Sequence, residues 1–300
     1  MQLFHEYFRE WMELFKKENI RSVTYKKYQM TQKRLSELAP DLKIGQLDKR
    51  SYQILLNDYA QTHEKQTVLD FHHHLKSSII DAIDDGLLKQ DPTRKAVIKG
   101  KPANKRLKYL SKADLIKMLS GLNLNDNVNW DWFILLSAKT GLRFAETLGL
   151  TPNDFDFEKC SLSVKKTWDY KNGGGFAPTK NESSIRAISI DDILCKQFCM
   201  LTNSLPPNEP IFVKDRVYNS TVNMRLKRLC LRAGVPVISL HGLRHTHASL
   251  LIYAGVSIAS IAKRLGHSSV TTTQETYLHI IKELEDRDNE KIITCIGELA

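Results

Sequence analysis

The segment RKAVIKGKPANKRLKYLSK, residues 94–112, constrains this chain more than any other stretch. It holds eight Lys or Arg and no Asp or Glu, and Gly100 and Pro102 interrupt any regular element. Helix-patterned sequence lies on both sides of it. The segment therefore reads as a linker between two domains, at 1–93 and 113–300. A charge run is ordinarily a solvated face. Because this one joins two domains, a strap lying along phosphates is the favoured reading. Its backbone-contact candidates are Arg94, Lys95, Lys99, Lys101, Lys105, Arg106 and Lys108.

The first domain reads as four helices. Residues 3–17 place Leu3, Phe4, Tyr7, Phe8, Trp11, Leu14 and Phe15 at spacings of three and four. Ser22 or Thr24 is expected to cap a second helix reaching Leu38. Asp48 starts a third, and a fourth runs from Lys65 to about Leu88. His72, His73 and His74 resemble a metal tract, but consecutive helical residues point apart, so they are read as ordinary helix positions.

The second domain reads as mainly helical with one small sheet. NWDWFILLSAKTG is a buried helix stopped at Gly141. CSLSVKKTW alternates like a half-buried strand, KNGGG is a turn, and FAPTK and IRAISI supply two more strands around the turn NESS. SLHGLRHTHASLLIYAG is a helix expected to bury Leu243, Leu250, Leu251 and Ala254. Ile258, Ile261, Ala262 and Leu265 mark a short helix stopped by Gly266, and Thr272 with Glu275 has the spacing of a capping box.

Composition excludes several classes. The net charge is +10, which favours a polyanionic partner. The cysteines are Cys160, Cys195, Cys199, Cys230 and Cys295, an odd number without a C-x-x-C pair. They read as reduced thiols in a cytoplasmic protein, and zinc is not expected. No apolar run is long enough to span a bilayer, and the first residues are charged throughout, unlike a signal peptide. Nothing resembles a P-loop or a two-metal carboxylate set, so no cofactor is implied.

Four polar groupings remain. Arg143 and Glu146 share a face at the start of a helix that follows Gly141. Lys180 sits on a polar turn read as the tip of a hairpin. His241, Arg244, His245 and His247 crowd one helix. His267 follows Gly266, and Tyr277 comes ten residues later. Each alone is a common surface or core feature.

In this order they resemble the tyrosine recombinase family of the phage-integrase type. The resemblance rests on R-x-x-E at Arg143–Glu146, H-x-L-R-H at His241–His245, L-G-H at Leu265–His267, and Tyr277. It covers residues 108–285. It implies a mainly α fold: an N-terminal helical core-binding (SAM-like) bundle and a mainly helical catalytic domain with a small antiparallel β-sheet. It implies Tyr277 as nucleophile forming a 3′-phosphotyrosine, and Arg143 and Arg244 gripping phosphate oxygens. His267 would donate to the same phosphate. His241 would serve as base toward the tyrosine and as phosphate ligand, Lys180 as acid for the 5′-oxygen, and Glu146 as support. His245 is read as facing the interior, and His247 stays unplaced.

The implied partners are double-stranded DNA attachment sites and further copies of the chain, assembling to a tetramer on DNA. An excision factor or a DNA-bending protein is an open addition. A mobile-element integrase is the leading expectation. A host-chromosome recombinase and a catalytically silent DNA-binding protein are the alternatives. Many such integrases carry an arm-binding domain ahead of the bundle, and whether one belongs here stays open. The apolar tail after Tyr277 is expected to dock either in cis or on a neighbouring copy.

Overall fold

The computed structural model describes residues 2–102 and 109–277. The chain divides into two compact units, Met1–Lys105 and Arg106–Ala300. The expected tail after Tyr277 lies outside the described residues.

The first unit is built from α1 (Phe4–Phe15), α2 (Ser22–Leu38), α3 (Lys49–Ala60) and α4 (Lys65–Asp84). The spacing in α1 buries Phe4, Tyr7, Phe8, Trp11 and Met12. Leu14 and Phe15 continue that spacing, yet both stand exposed on the helix's last turn. Asp48 caps α3 as expected: its carboxylate accepts from Ser51 N at 2.8 Å, and Ser51 Oγ accepts from Asp48 N at 3.0 Å. Neither Ser22 nor Thr24 caps α2, because Arg21 occupies the cap position, and its side chain makes no capping bond. Helix α4 ends at Asp84, short of Leu88, where Gly86 turns the chain at φ 74°. The three histidines diverge. His72 Nδ1 meets the Tyr52 hydroxyl, and His74 Nδ1 meets Thr31 Oγ1 with its ring stacked on Tyr28.

The basic segment is not uniformly a free linker. Gln53 exchanges two hydrogen bonds of 2.9 Å with the Val97 backbone, and Lys101 N donates to His63 O at 2.8 Å. Ala96 and Ile98 pack on the bundle's core. Alternating apolar residues among the cations gave this stretch one sticky edge. Arg94, Lys95, Lys99 and Lys101 are exposed. Lys105, Arg106 and Lys108 lie outside the described residues.

The second unit begins with α5 (Lys112–Leu119), α6 (Trp130–Thr140) and α7 (Phe144–Leu148). Five short strands follow: β1 (Phe155–Asp156), β2 (Ser161–Val164), β3 (Lys166–Trp168), β4 (Phe176–Pro178) and β5 (Arg186–Ser189). Then come α8 (Asp192–Thr202), α9 (Asn219–Ala233), α10 (Leu240–Tyr253), α11 (Ile258–Leu265) and, last among the described residues, a helix at residues 270–277.

Among the described residues, two antiparallel sheets replace the single expected one, with orders β1-β2-β5 and β3-β4. CSLSVKKTW is therefore two strands that change sheet at Lys165. Leu162 and Val164 point into the core, whereas Lys166 is drawn aside by its ion pair with Asp154. Since β4 pairs with β3 and β5 with β2, Lys180 lies on a loop between sheets and not at a hairpin tip.

Helix α10 packs mainly on α6 and is buried almost all round. Of the four residues expected inside, Leu243 is fully buried, Leu250 and Leu251 are half-buried, and Ala254 is exposed. Ala248 and Ile252 fill the core instead, together with Arg244 and His247. The last helix starts at Val270, before the expected Thr272, because Ser269 Oγ accepts from Thr271 N at 3.1 Å. Among the described residues, no helix is long and apolar enough to cross a membrane.

Candidate active site

The site grows around the ends of helices in the second unit. The apolar run of α6 stops at Gly141, whose φ of 69° turns the chain toward Arg143. Arg143 sits in extended conformation just before α7. Glu146, three residues on, reaches back: Oε2 accepts from Arg143 N at 2.9 Å and Oε1 from Arg143 Nη1 at 2.7 Å. One exposed orphan N–H of the helix start and one guanidinium are thereby tied to the same carboxylate.

Glu146 is 1% exposed and also binds Arg186 of β5, through Nη2 to Oε2 at 3.0 Å and Nη1 to Oε1 at 3.3 Å. Burial is the largest influence on this carboxyl and pushes its pKa up. Arg186 and Arg143 together outweigh it, so the carboxyl stays below the ordinary value. Glu146 is a buried anion shared by two cations.

Four guanidinium contacts collect the orphan carbonyls at helix ends. Arg186 Nε donates to Arg264 O at 2.6 Å, Arg244 Nη2 to Leu265 O at 2.7 Å, and Arg143 Nη2 to Gly266 O at 2.9 Å. These are three successive carbonyls at the C-terminus of α11, the negative end of its dipole. Arg244 Nη1 holds Gly141 O at 2.9 Å. Arg244 is 3% exposed, and burial, then Arg143, bring its pKa down to about 9 against the pull of Glu146. It remains a cation at neutral pH.

Gly266, at φ 67°, lets the chain turn directly into His267. His267 Nδ1 lies 2.7 Å from Thr273 Oγ1. Burial, then Arg244, Arg143 and Arg186, push its pKa down to about 4, so it is neutral near pH 7. When Nδ1 accepts from the threonine, Nε2 carries the ring proton and is a donor. His241 is exposed at the start of α10, and desolvation, then Arg244 and Arg143, lower its pKa as well. A small pocket lined by Arg143, His241, Ser239, Asn219 and Asn223 opens there. A roomier, more apolar pocket around Trp130 and Phe212 holds none of these side chains.

Tyr277 is 2% exposed in a small apolar cluster with Ala248, Ile252, Ile261 and Leu265. Its hydroxyl lies 3.0 Å from His245 Nδ1. Burial pushes its pKa up to about 12, while Arg244 pulls the other way. His241 does not make this contact. Its ring stands edge-on to that of His245, with centroids 4.7 Å apart.

His245 does face the interior, as its sequence context suggested, and the interior there contains Tyr277. His247 takes a structural place. It bonds Ala138 O through Nδ1 at 3.1 Å and accepts from Arg264 Nε at Nε2, at 2.9 Å. Lys180 is exposed on the loop that also carries Ser184, whose Oγ lies 3.4 Å from Arg143 Nη1. Its sequence neighbour Lys166 is committed to Asp154, and Lys171 lies over the Tyr170 ring. Sequence reading missed Arg186, Ser184, Thr273 and the contact made by His245. Arg186 looked only like a strand residue, and its partners lie 40 and 78 positions away.

A chain of this design, with an arginine-laced pocket beside a buried tyrosine on a helical scaffold, matches the phage integrase family over residues 108–283. The chain belongs to that family. Among curated relatives, it is 28% identical to a XerC-like tyrosine recombinase of Caldanaerobacter subterraneus over 74% of this chain and 64% of that protein. It is 29% identical to the ICEBs1 integrase of Bacillus subtilis over 70% of this chain and 62% of that one. It therefore spans under two thirds of the length of these two relatives. The integrase of Staphylococcus phage L54a is 24% identical over 96% of this chain and 92% of its own. Among solved structures, the Tn1549 transposon integrase in complex with a circular intermediate DNA has a TM-score of 0.78 at 17% identity, covering 96% of this chain and 99% of that one. A lambda integrase dimer bound to a COC′ core site gives 0.67 at 17% identity, covering 90% and 76%. At these identities the structural likeness bears on the fold.

Proposed function

We propose that this chain is a metal-independent site-specific DNA recombinase. It cuts and rejoins duplex DNA through a 3′-phosphotyrosine on Tyr277 and a Holliday junction, integrating and excising a mobile element in the bacterial cytoplasm. The observation that supports this most is the buried Tyr277 hydroxyl on His245, adjacent along α10 to Arg244, whose guanidinium holds the turn that carries His267. A phosphoryl group entering there meets cations and N–H donors without needing a metal. The covalent intermediate conserves the bond energy of the cut strand, so rejoining needs no nucleotide.

Arg143 and Arg244 bind the non-bridging oxygens, since a planar guanidinium matches two of them at once. Neutral His267 adds an N–H, and His241 faces the same phosphate from the start of α10. Glu146 fixes Arg143. Lys180, on its exposed loop, is the acid for the 5′-oxygen. The basic residues Arg94, Lys95, Lys99 and Lys101, with Lys105, Arg106 and Lys108 beyond them, contact the DNA backbone. Four copies act on two DNA sites, with an excision factor or DNA-bending protein as an open addition. The named activities of the ICEBs1 and phage L54a relatives favour a mobile element. The XerC-like relative is named a tyrosine recombinase with no element attached, and a host-chromosome role is the second reading.

The test is a nicked duplex that traps the cleaved state, carrying a core selected from a random-sequence library by the chain itself. A covalent protein–DNA band on a denaturing gel, resistant to chelator and absent in Tyr277→Phe, is the expected result. A chain that binds its selected core and never forms the band sinks the proposal.

A further inference from the structure

The resemblance puts the base for the tyrosine at His241, but the geometry points to its neighbour one turn on. Among the described residues, the hydrogen-bond partner of the Tyr277 hydroxyl is His245 Nδ1, at 3.0 Å. The rings lie 5.7 Å apart at 65°, so the imidazole presents its edge to the phenol oxygen. His241 packs edge-on to His245 and stays exposed, on the side of the Arg143 pocket.

We infer that His245 is a catalytic residue, the group that takes the proton from Tyr277 as its oxygen attacks the phosphorus. The inference rests on the strand-cleavage reading above. The step balances as follows. The Tyr277 oxygen–phosphorus bond forms and the bond from phosphorus to the 5′-oxygen breaks. The phenol proton passes to His245 Nδ1, and the 5′-oxygen receives a proton from Lys180. Rejoining reverses every transfer.

Three features support the assignment. A half-buried ring clamped between His241 and Tyr277 has little freedom, so its acceptor stays aimed at the hydroxyl. Nδ1 accepts when Nε2 carries the ring proton, the form an unprotonated imidazole can adopt. Burial makes the phenol reluctant to ionise, so a base in contact with it has something to do. The titratable groups that face His245 include His241 on its own helix and Tyr277 on the helix at residues 270–277, and His267 after α11 is near enough to feel its charge. His241 is then left to the phosphate.

The probe is the nicked duplex described above, and the readout is the single-turnover rate of covalent adduct at saturating protein. His245→Ala is expected to slow this rate by about 100-fold or more. His245→Asn keeps an acceptor near the Nδ1 position but cannot hold a proton, and is expected to stay slow. Difluorotyrosine in place of Tyr277 ionises more easily. In the His245→Ala background it is expected to recover roughly tenfold or more, a larger gain than beside His245. Full rate in His245→Asn would overturn the inference in favour of a holding role. An unslowed His245→Ala would overturn it outright, as would a folded His245→Ala that difluorotyrosine does not help. If the unsubstituted chain makes no adduct, the cleavage reading itself fails, and that outcome is distinct from the other three.

Discussion

Two buried tyrosines in this molecule make nearly the same bond. Tyr52 meets His72 Nδ1 at 2.9 Å with rings 5.9 Å apart, and Tyr277 meets His245 Nδ1 at 3.0 Å with rings 5.7 Å apart. Their surroundings differ. Around Tyr52, burial and then Asp91 both oppose ionisation. Around Tyr277, burial opposes it while Arg244 favours it. A tyrosine–histidine bond is thus a core clasp in one unit and part of the candidate site in the other. The guanidinium beside it makes the difference.

The largest effect breaks this pair apart. Tyr277→Phe should abolish covalent adduct formation, with a stability change of about 1 kcal/mol from the lost hydrogen bond. Tyr52→Phe should cost about 1–2 kcal/mol and leave the adduct rate per folded molecule unchanged. A denaturing gel and a urea melt on both variants check this. A strong rate loss in folded Tyr52→Phe would show the comparison to be misdrawn.

A second comparison has the same form. Arg34 and Glu37 pair at 2.6 Å and Arg143 and Glu146 at 2.7 Å, both three residues apart in sequence. The first carboxylate side chain is 43% exposed and the second 2%. Glu37→Ala should change stability by under about 0.5 kcal/mol. Glu146→Ala strands Arg143 and Arg186 without their shared anion and should cost about 3–5 kcal/mol. Urea melts at pH 7 read both. Equal effects would mean that the buried network is not what holds Arg143.

Acid should act on the second unit through a buried histidine. His247 is 8% exposed, and its pKa falls from 6.5 to about 4, with burial the main cause and Arg264 next. The unfolded chain takes up this proton first, so the stability is whole above pH 6.5 and is lost as pH falls toward 4. Between pH 7 and pH 5 the loss from this residue is about 2 kcal/mol. His247→Gln should be less stable at pH 7 but flatter with pH. An unchanged slope would remove His247 from the account.

How much of this was legible in one dimension follows from the range of each contact. Gly141 and Gly266 as helix stops, Asp48 as a cap, and the order Arg143, His241, Arg244, His267, Tyr277 could all be read locally. The spacing of Arg143 and Glu146 could be read, but it is also the spacing of Arg34 and Glu37. Burial separates them, and the second cation on the buried carboxylate, Arg186, comes from distant strand β5. His247 went unplaced because its two partners, Ala138 and Arg264, belong to helices on either side of it. The strand break at Lys165 escaped the alternation because Lys166 answers to Asp154, twelve residues back. The polar types were visible in sequence, and the wiring among them was not.

The smallest effect tests that wiring most selectively. Gly86 and Gly266 both end a helix at positive φ, 74° and 67°. A methyl on Gly86 meets nothing within 4 Å, whereas on Gly266 it would come 2.9 Å from Arg186 Nη1 and 3.1 Å from Ser184 Cα. Both alanine variants carry the left-handed strain of about 1 kcal/mol. Gly86→Ala should show that cost and nothing more. Gly266→Ala should cost up to about 2 kcal/mol and also slow adduct formation, because Arg186 must shift. Arg186 holds Glu146, which holds Arg143, and the same turn sets His267. A slowed Gly266→Ala beside an unslowed Gly86→Ala would show the turn transmitting geometry to the candidate site. Equal rates would reduce Gly266 to a helix stop like any other.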